Sequence, residues 1–301
     1  MLEKMTGAAL GLDAEPGLTS TDRSARRQST VAQHLHHRIV EDISPRHADL
    51  VLGVCFFLTG LIDAGAFEIY ATFVGMQTGN TIFVALGAAG LPRAAPTYNW
   101  TKSLLAILCF ALGALFFASF HRALGGTKRW VMVTSFGIEA LTVMVVAIIV
   151  TTGAVTSHPP PFPNAPDGSQ AGLMYSIVPD FPWSDLIPVG LLAFQSAGQI
   201  VASRVLKVGS MPTVVVTSLL CDLFSDAKLF TAPVKEGVER NRRSVGFVLL
   251  FLGGVAGGFI SKSWAGFAGI LWLATFLKFC LVVAWATWPA KKNTTTTTIK
   301  A

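Results

Sequence analysis

Residues 71–91, ATFVGMQTGNTIFVALGAAGL, decide how this chain is built. Their length suits the ~20 residues that carry a helix across a hydrocarbon layer. Their centre does not: Gln77, Thr78, Gly79, Asn80 and Thr81 place amides, hydroxyls and a glycine where a spanning helix is apolar. Backbone that breaks at membrane depth is tolerated only where protein or a cavity takes up the freed N–H and C=O groups. The segment therefore reads as an interrupted or re-entrant helix. A second segment of this kind, residues 211–226, opens with Met211-Pro212, is short, and carries Asp222 late.

Around these two lie six more apolar runs, near residues 48–70, 100–121, 130–153, 185–206, 244–261 and 264–288. Of the 301 residues, 52% are hydrophobic and 13% charged, against about a quarter charged in soluble domains. A soluble globule and a disordered chain are both excluded. The fold class is all-α: a polytopic transmembrane helical bundle of six to eight apolar segments. The organisation reads as a disordered cytoplasmic tail over 1–47, a first membrane repeat over 48–153 and an external Pro-rich loop over 154–184. A second repeat over 185–288 and a polar tail over 289–301 complete it. Residues 1–47 hold no apolar h-region, so the first span is expected to act as the insertion signal. His34, His36 and His37 on that tail are read as polar filler. The net charge of +6 is spread between apolar runs rather than gathered on one face, which speaks against nucleic acid. Cys55, Cys109, Cys221 and Cys280 all lie inside apolar runs and form no C-x-x-C pair, so buried thiols are expected rather than disulfides or zinc ligands.

Charge placement separates the topologies. With eight full crossings and a cytoplasmic N-terminus, twelve loop Lys and Arg fall inside and six outside, among them Arg122, Lys128 and Arg129. Loop 154–184, which has no Lys or Arg, then lies inside, against the positive-inside tendency. If residues 71–91 and 211–226 instead dip in and return, the division becomes fifteen against three. Six crossings with two returning segments is the better reading, and eight crossings is the alternative.

The halves also resemble each other. Leu61-Ile62-Asp63-Ala64-Gly65 aligns with Phe194-Gln195-Ser196-Ala197-Gly198, and each is followed by a Thr-bearing polar run, Thr78 to Thr81 and Thr213 to Ser218. Next come Phe110-Ala111-Leu112-Gly113 and Phe251-Leu252-Gly253-Gly254. Three crossings per copy would invert the second copy, and inverted repeats with paired broken helices are a transporter signature. A parallel four-plus-four repeat is the alternative.

Gly60-Leu61-Ile62-Asp63-Ala64, Met76-Gln77-Thr78-Gly79-Asn80-Thr81 and Gln195-Ser196-Ala197 with Thr213 and Thr217 resemble the YoaK-type family, integral membrane proteins of bacteria and fungi with a domain of unknown function. The resemblance covers about residues 45–290 and implies fold and location but no substrate. The second copy departs from the pattern, reading Thr217-Ser218-Leu219 where such proteins often repeat Thr-Gly-Asn, so a site lined by both copies would be asymmetric. His158 to Pro166 looks like a stiff insertion in the long loop.

Ionisable groups inside a membrane are costly and are candidates for function. Asp63, beside Ala64 and Gly65, could act with Gln77, Thr78 and Asn80 on a proton, a cation or a polar solute, or could simply pin two helices. With Gly79, Gln195, Thr213 and Thr217 these residues form the candidate substrate site between the halves. Glu139 and Lys278, each mid-depth in the closing helix of its half, are expected to form an intramembrane ion pair, either structural or as a gate. Glu68 and Asp222 read as interfacial.

Gly253, Gly254, Gly257 and Gly258 allow close helix approach, in the bundle or through a Gly253/Gly257 face to a second copy. No G-x-x-x-x-G-K-[ST], H-E-x-x-H or G-x-S-x-G occurs, so neither an enzyme nor a cofactor or metal site is expected. The expected partners are the bilayer and an unidentified small solute. The leading expectation is a secondary transporter or permease, and the alternative a non-transporting scaffold, assembly factor or receptor.

Overall fold

A computed structural model describes residues 33, 37–91, 98–157, 182–208, 213, 216–227, 229, 233 and 236–291. His34, His36, Arg93, the stretch from His158 to Pro166, and Met211-Pro212 lie outside the described residues.

Among the described residues six helices are long and apolar enough to cross a membrane. In chain order the helices are α1 (Ala48–Tyr70), α2 (Gln77–Ala88), α3 (Trp100–Leu124), α4 (Arg129–Thr151), α5 (Leu186–Val205, entered through a 3₁₀ turn at Trp183–Asp185), α6 (Val216–Phe224), α7 (Val238–Ser261) and α8 (Gly266–Thr287). The two short ones are α2, with 12 residues, and α6, with 9. At 1.5 Å per residue they span about 18 and 14 Å, well short of the ~30 Å hydrocarbon core.

Contacts at the two ends of the bundle fix its topology. At one end, residues 41–44 form a strap across the α3–α4 turn and the exit of α8. Ile43 N–H donates to Thr127 O, Ser44 N–H to Pro289 O and Lys291 N–H to Asp42 O. The turn itself reverses through Gly125, whose φ of 82° suits a residue without Cβ. Arg129 seals this end: its guanidinium donates to the carbonyls of Arg38, Ala286 and Trp288, taking up acceptors that the end of α8 leaves open. The end of α5 also lies here, since Gly126 sits against Val205. The start of α7 joins through Arg242 Nε to Asp49 Oδ2 at 3.2 Å.

At the opposite end, Tyr70 at the close of α1 donates its hydroxyl to Thr156 O at 3.2 Å, just beyond α4. Lys102 in the first turn of α3 meets Asp185 at the head of α5 at 3.0 Å. Trp272, early in α8, donates to Thr151 Oγ1 at 3.0 Å. Thus α1 arrives at this end and α3 departs from it, so the segment holding α2 returns. By the same logic α5 arrives at the strap end and α7 departs from it, so α6 returns too. The chain makes six crossings with two returning segments.

Direction and packing both reveal an inverted repeat. Relative to the strap end, α1, α3 and α4 run away, back and away, whereas α5, α7 and α8 run back, away and back. Packing follows the same exchange: α1 packs chiefly on α7 and α3 on α5, α4 pairs with α8, and the returning α2 and α6 lean on α3 and α7. Burial agrees, falling from α1 and α5 (72% and 67% of their apolar window) through α4 and α8 (44% and 39%) to α3 and α7 (22% and 17%). So α1 and α5 form the centre. The outer faces of α3 and α7 present Leu108, Leu112 and Leu115, and Phe251, Val255 and Phe259, as surfaces that face hydrocarbon must.

Lipid is as apolar as leucine, so helix association here rests on close packing. A Cβ on Gly60 would lie 2.0 Å from Leu250 O, and one on Gly253 2.0 Å from Phe57 O. In the equivalent crossing a Cβ on Gly113 would lie 2.3 Å from Phe194 O. Gly257 approaches Leu61 O, and Leu61 aligns with Phe194, so Gly113 corresponds to Gly257. The motif alignment placed it at Gly254, about one turn off, because Gly254 and Gly257 lie three residues apart and one turn exchanges them. The Gly253/Gly257 face, read as open either to the bundle or to a second copy, packs on α1 of the same chain.

Candidate functional site

The site grows from the end of α1. Ala71 takes a left-handed conformation (φ 55°) and its N–H caps the helix on Phe67 O. The chain then folds back along α1 as residues 72–76, down to the level of Asp63. Asp63 Oδ1 accepts from the N–H groups of Val74 and Gly75, both at 2.8 Å. The side chain is 1% exposed, and its Oδ2 has no hydrogen-bond partner. From Met76 the chain turns into α2, which climbs back until Gly87 lies against Trp100 at the head of α3.

Asn80 holds this loop. Its Oδ1 accepts from Thr72 Oγ1 (2.9 Å) and Phe73 N–H (3.1 Å), and its Nδ2 donates to Phe73 O (2.7 Å) and Gln77 Oε1 (2.9 Å). Gln77 Nε2 in turn donates to Val74 O at 3.0 Å, and Thr72 also bonds Ser103 on α3 at 2.8 Å. Side-chain amides thus satisfy the backbone of an irregular segment at membrane depth. Both ends of the Asn80 amide are occupied within the loop. Phe67 and Phe73 stack over it with centroids 4.7 Å apart. Gly79 sits against the Phe73 ring.

The second repeat supplies the facing wall. Ser196, aligned with Asp63, donates to Val74 O at 3.0 Å, so equivalent positions of α1 and α5 grip one peptide of the same loop. One turn away, Gln199 Nε2 donates to Thr59 Oγ1 at 2.7 Å. Because α1 and α5 run antiparallel, a step of four residues on each helix from Thr59–Gln199 brings Asp63 level with Gln195. Gln195 is 2% exposed. The oxygens Gln195 Oε1 and Gln199 Oε1 lack partners, as does Thr213 Oγ1 ahead of α6. Asp63, Gln77, Asn80 and Gln195 therefore come together around the loop, while Thr78 and Thr217 lie on exposed surfaces.

Glu139 and Lys278 meet in the α4–α8 contact: Lys278 Nζ donates to Glu139 Oε2 at 2.7 Å, with both side chains wholly buried. Glu139 is the eleventh of 23 residues in α4, and Lys278 the thirteenth of 22 in α8. Opposed helices related by a two-fold pseudo-axis meet near their middles, which is where these residues lie. Glu139 Oε1 rests against Gly198, where a Cβ would sit 2.5 Å away. Glu68 is exposed, and Asp222 lies half in solvent 4.0 Å from Arg243.

Sequence reasoning missed Ser196, Gln199 and Thr59 as parts of the site. The alignment of Ser196 with Asp63 was the signal for the first. It also missed the buried Lys102–Asp185 pair. Asp185 Oδ1 further accepts from Thr156 N–H at 3.1 Å, and the Lys102 ammonium lies 5.6 Å from the Tyr70 ring centroid.

A family described as "Protein of unknown function (DUF1275)" matches residues 51–284. The chain belongs to the DUF1275 family. That is the YoaK-type family which the Asp63 and Asn80 motifs resembled. The DUF1275 match runs from the first turn of α1 to the last turn of α8, so the family unit is the six-span bundle with both returning segments. The strap at 41–44 and its partners at 288–291 fall outside it. No curated protein and no solved structure matches the chain.

Proposed function

We propose that this protein is a secondary transporter of a small polar or ionic solute, with its site between the two inverted halves. The observation carrying the reading is the meeting of the α1 return loop with α5, where the buried oxygens Asp63 Oδ2, Gln195 Oε1 and Gln199 Oε1 have no partner. Unpaired buried acceptors each cost about 1–3 kcal/mol, and a site that receives hydrogen-bond donors or positive charge accounts for that cost. Broken helices at the interface of inverted repeats are the arrangement secondary transporters use, and here the return loop after α1 lies against α5.

The strap end collects Arg38, Arg46, Arg122, Lys128, Arg204 and Lys207 and is assigned to the cytoplasm by the positive-inside tendency. Lys102 and Asp185 then close the site from the outside. A scaffold reading draws on Asn80, whose amide serves only the loop.

Flux into vesicles reconstituted with the full chain, across a panel of small cations, anions, amino acids and sugars, tests the proposal. Wild type should move at least one class, and Asp63→Asn should lower that flux by tenfold or more while its melting curve stays intact. Absence of flux for every class, or flux indifferent to Asp63→Asn, sinks the transport reading.

A further inference from the structure

Three carboxylates are buried among the described residues. Two have a lysine: Glu139 has Lys278 and Asp185 has Lys102. Asp63 has none. A lone charge of this kind costs about 3 kcal/mol at mid-membrane on insertion scales, so it demands neutralisation by something small.

The geometry says by what. Asp63 Oδ1 already receives two backbone N–H groups, and its Oδ2 receives nothing. The helix register places Gln195 level with it on α5, and Gln195 Oε1 likewise has no donor. Two acceptor oxygens on facing helices lack one hydrogen between them. We infer that Asp63 is a proton-binding site, with the proton held on Oδ2 and donated to Gln195 Oε1. On release the proton passes to water and leaves an anion on which the Val74 and Gly75 N–H groups keep their hold. Since those two peptides belong to the return loop, protonation and loop position are linked. Where the transport reading holds, on which this extension rests, the proton is the coupling ion.

Among the described residues no other charge faces Asp63 from the elements packed around it. The loop offers only backbone there, α5 offers Gln195, Ser196 and Gln199, and α7 offers the glycines Gly253 and Gly257. From α8, Phe267 and Ile270 lie against neighbouring Gly65. Lys102 and Lys278 are held by their own acids, and Glu68 of α1 is exposed. A divalent metal would want six or more oxygens, more than the three unpartnered ones provide.

The test uses the full chain in lipid nanodiscs and needs no transported solute. At neutral pH the infrared spectrum of wild type should contain the carbonyl band of a protonated carboxyl. That band should vanish in Asp63→Asn, persist in Glu68→Gln and move to higher frequency in Gln195→Leu, which removes the acceptor. Asparagine mimics the protonated acid, with Nδ2–H in place of Oδ2–H. Asp63→Asn should therefore melt no lower than wild type and show a midpoint flat with pH, whereas the wild-type midpoint falls as pH rises and the proton leaves. The inference is overturned if the band is missing from wild type through the acid-to-neutral range or survives in Asp63→Asn. It is equally overturned if Asp63→Asn melts well below wild type while sodium chloride raises the wild-type midpoint, which marks an ionised carboxylate on a metal cation. Loss of flux with the band present would remove the transport reading and leave the proton site standing.

Discussion

Glu139 and Lys278 are joined by a 2.7 Å hydrogen bond at zero exposure, so neither charge has water to fall back on. Removing one partner of a buried pair costs about 3–5 kcal/mol, whereas replacing both by apolar groups is often nearly neutral. Lys278→Met should therefore lose about that much stability in a detergent denaturation series, and Glu139→Leu added to it should restore most of the loss. Equal damage in the single and double variants would mean that the pair contributes through more than its charge. At this scale the sequence spoke clearly wherever a charge interrupted an apolar run, as at Asp63, Glu139 and Lys278. It was silent on Lys102 and Asp185, which sit at the edges of runs, where charges are ordinary. Nor could it say that Thr78 and Thr217 turn outward, because the facing of a short helix depends on its neighbours.

Helix α7 crosses α1 on glycine. Gly60→Ala or Gly253→Ala would drive a methyl to 2.0 Å from a backbone carbonyl, and neither backbone can retreat without moving a whole span. Each should cost at least the 1–3 kcal/mol or so typical of overpacking and sharply reduce folded yield by size-exclusion chromatography. Gly258→Ala, with nothing within 4 Å, should be silent in the same assay, and a reversed order would contradict the packing. The glycine pattern was visible in the sequence, but its partner was not. A small-residue stripe says that something comes close, and only the fold says that the visitor is α1 rather than another copy. The short elements α2 and α6 were legible as breaks, since polar residues interrupt the first run and Met211-Pro212 opens the second.

For the molecule as a whole, charge counting had already preferred six crossings, and the contacts at the two ends of the bundle agree. Cysteine labelling in cells provides the check, in a background lacking Cys55, Cys109, Cys221 and Cys280. Glu68→Cys and Tyr98→Cys flank α2 and should react from one side of the membrane. Lys207→Cys and Glu239→Cys flank α6 and should react from the other. Opposite labelling within either pair would mean that its short helix crosses. The inversion of the halves was only partly legible: the Asp63–Ser196 alignment was sound, whereas the glycine alignment slipped by one turn. What no local pattern could announce was the strap, because its contacts join residues from 84 (Ile43 and Thr127) to 249 (Asp42 and Lys291) positions apart.

That strap bears on how the protein is made. Residues 41–44 leave the ribosome before the first span, yet the groups they bind at 288–291 emerge only after the sixth. Arg129 likewise waits for carbonyls of Ala286 and Trp288. Every earlier helix can enter the bilayer with this fastening undone, so a nascent chain stays open at one end until synthesis has passed α8. A chain stopped short of Trp285 should leave the Arg129 guanidinium without its α8 carbonyls and Ser44 N–H without Pro289 O, presenting to cellular surveillance a mark of incompleteness that the full-length bundle hides.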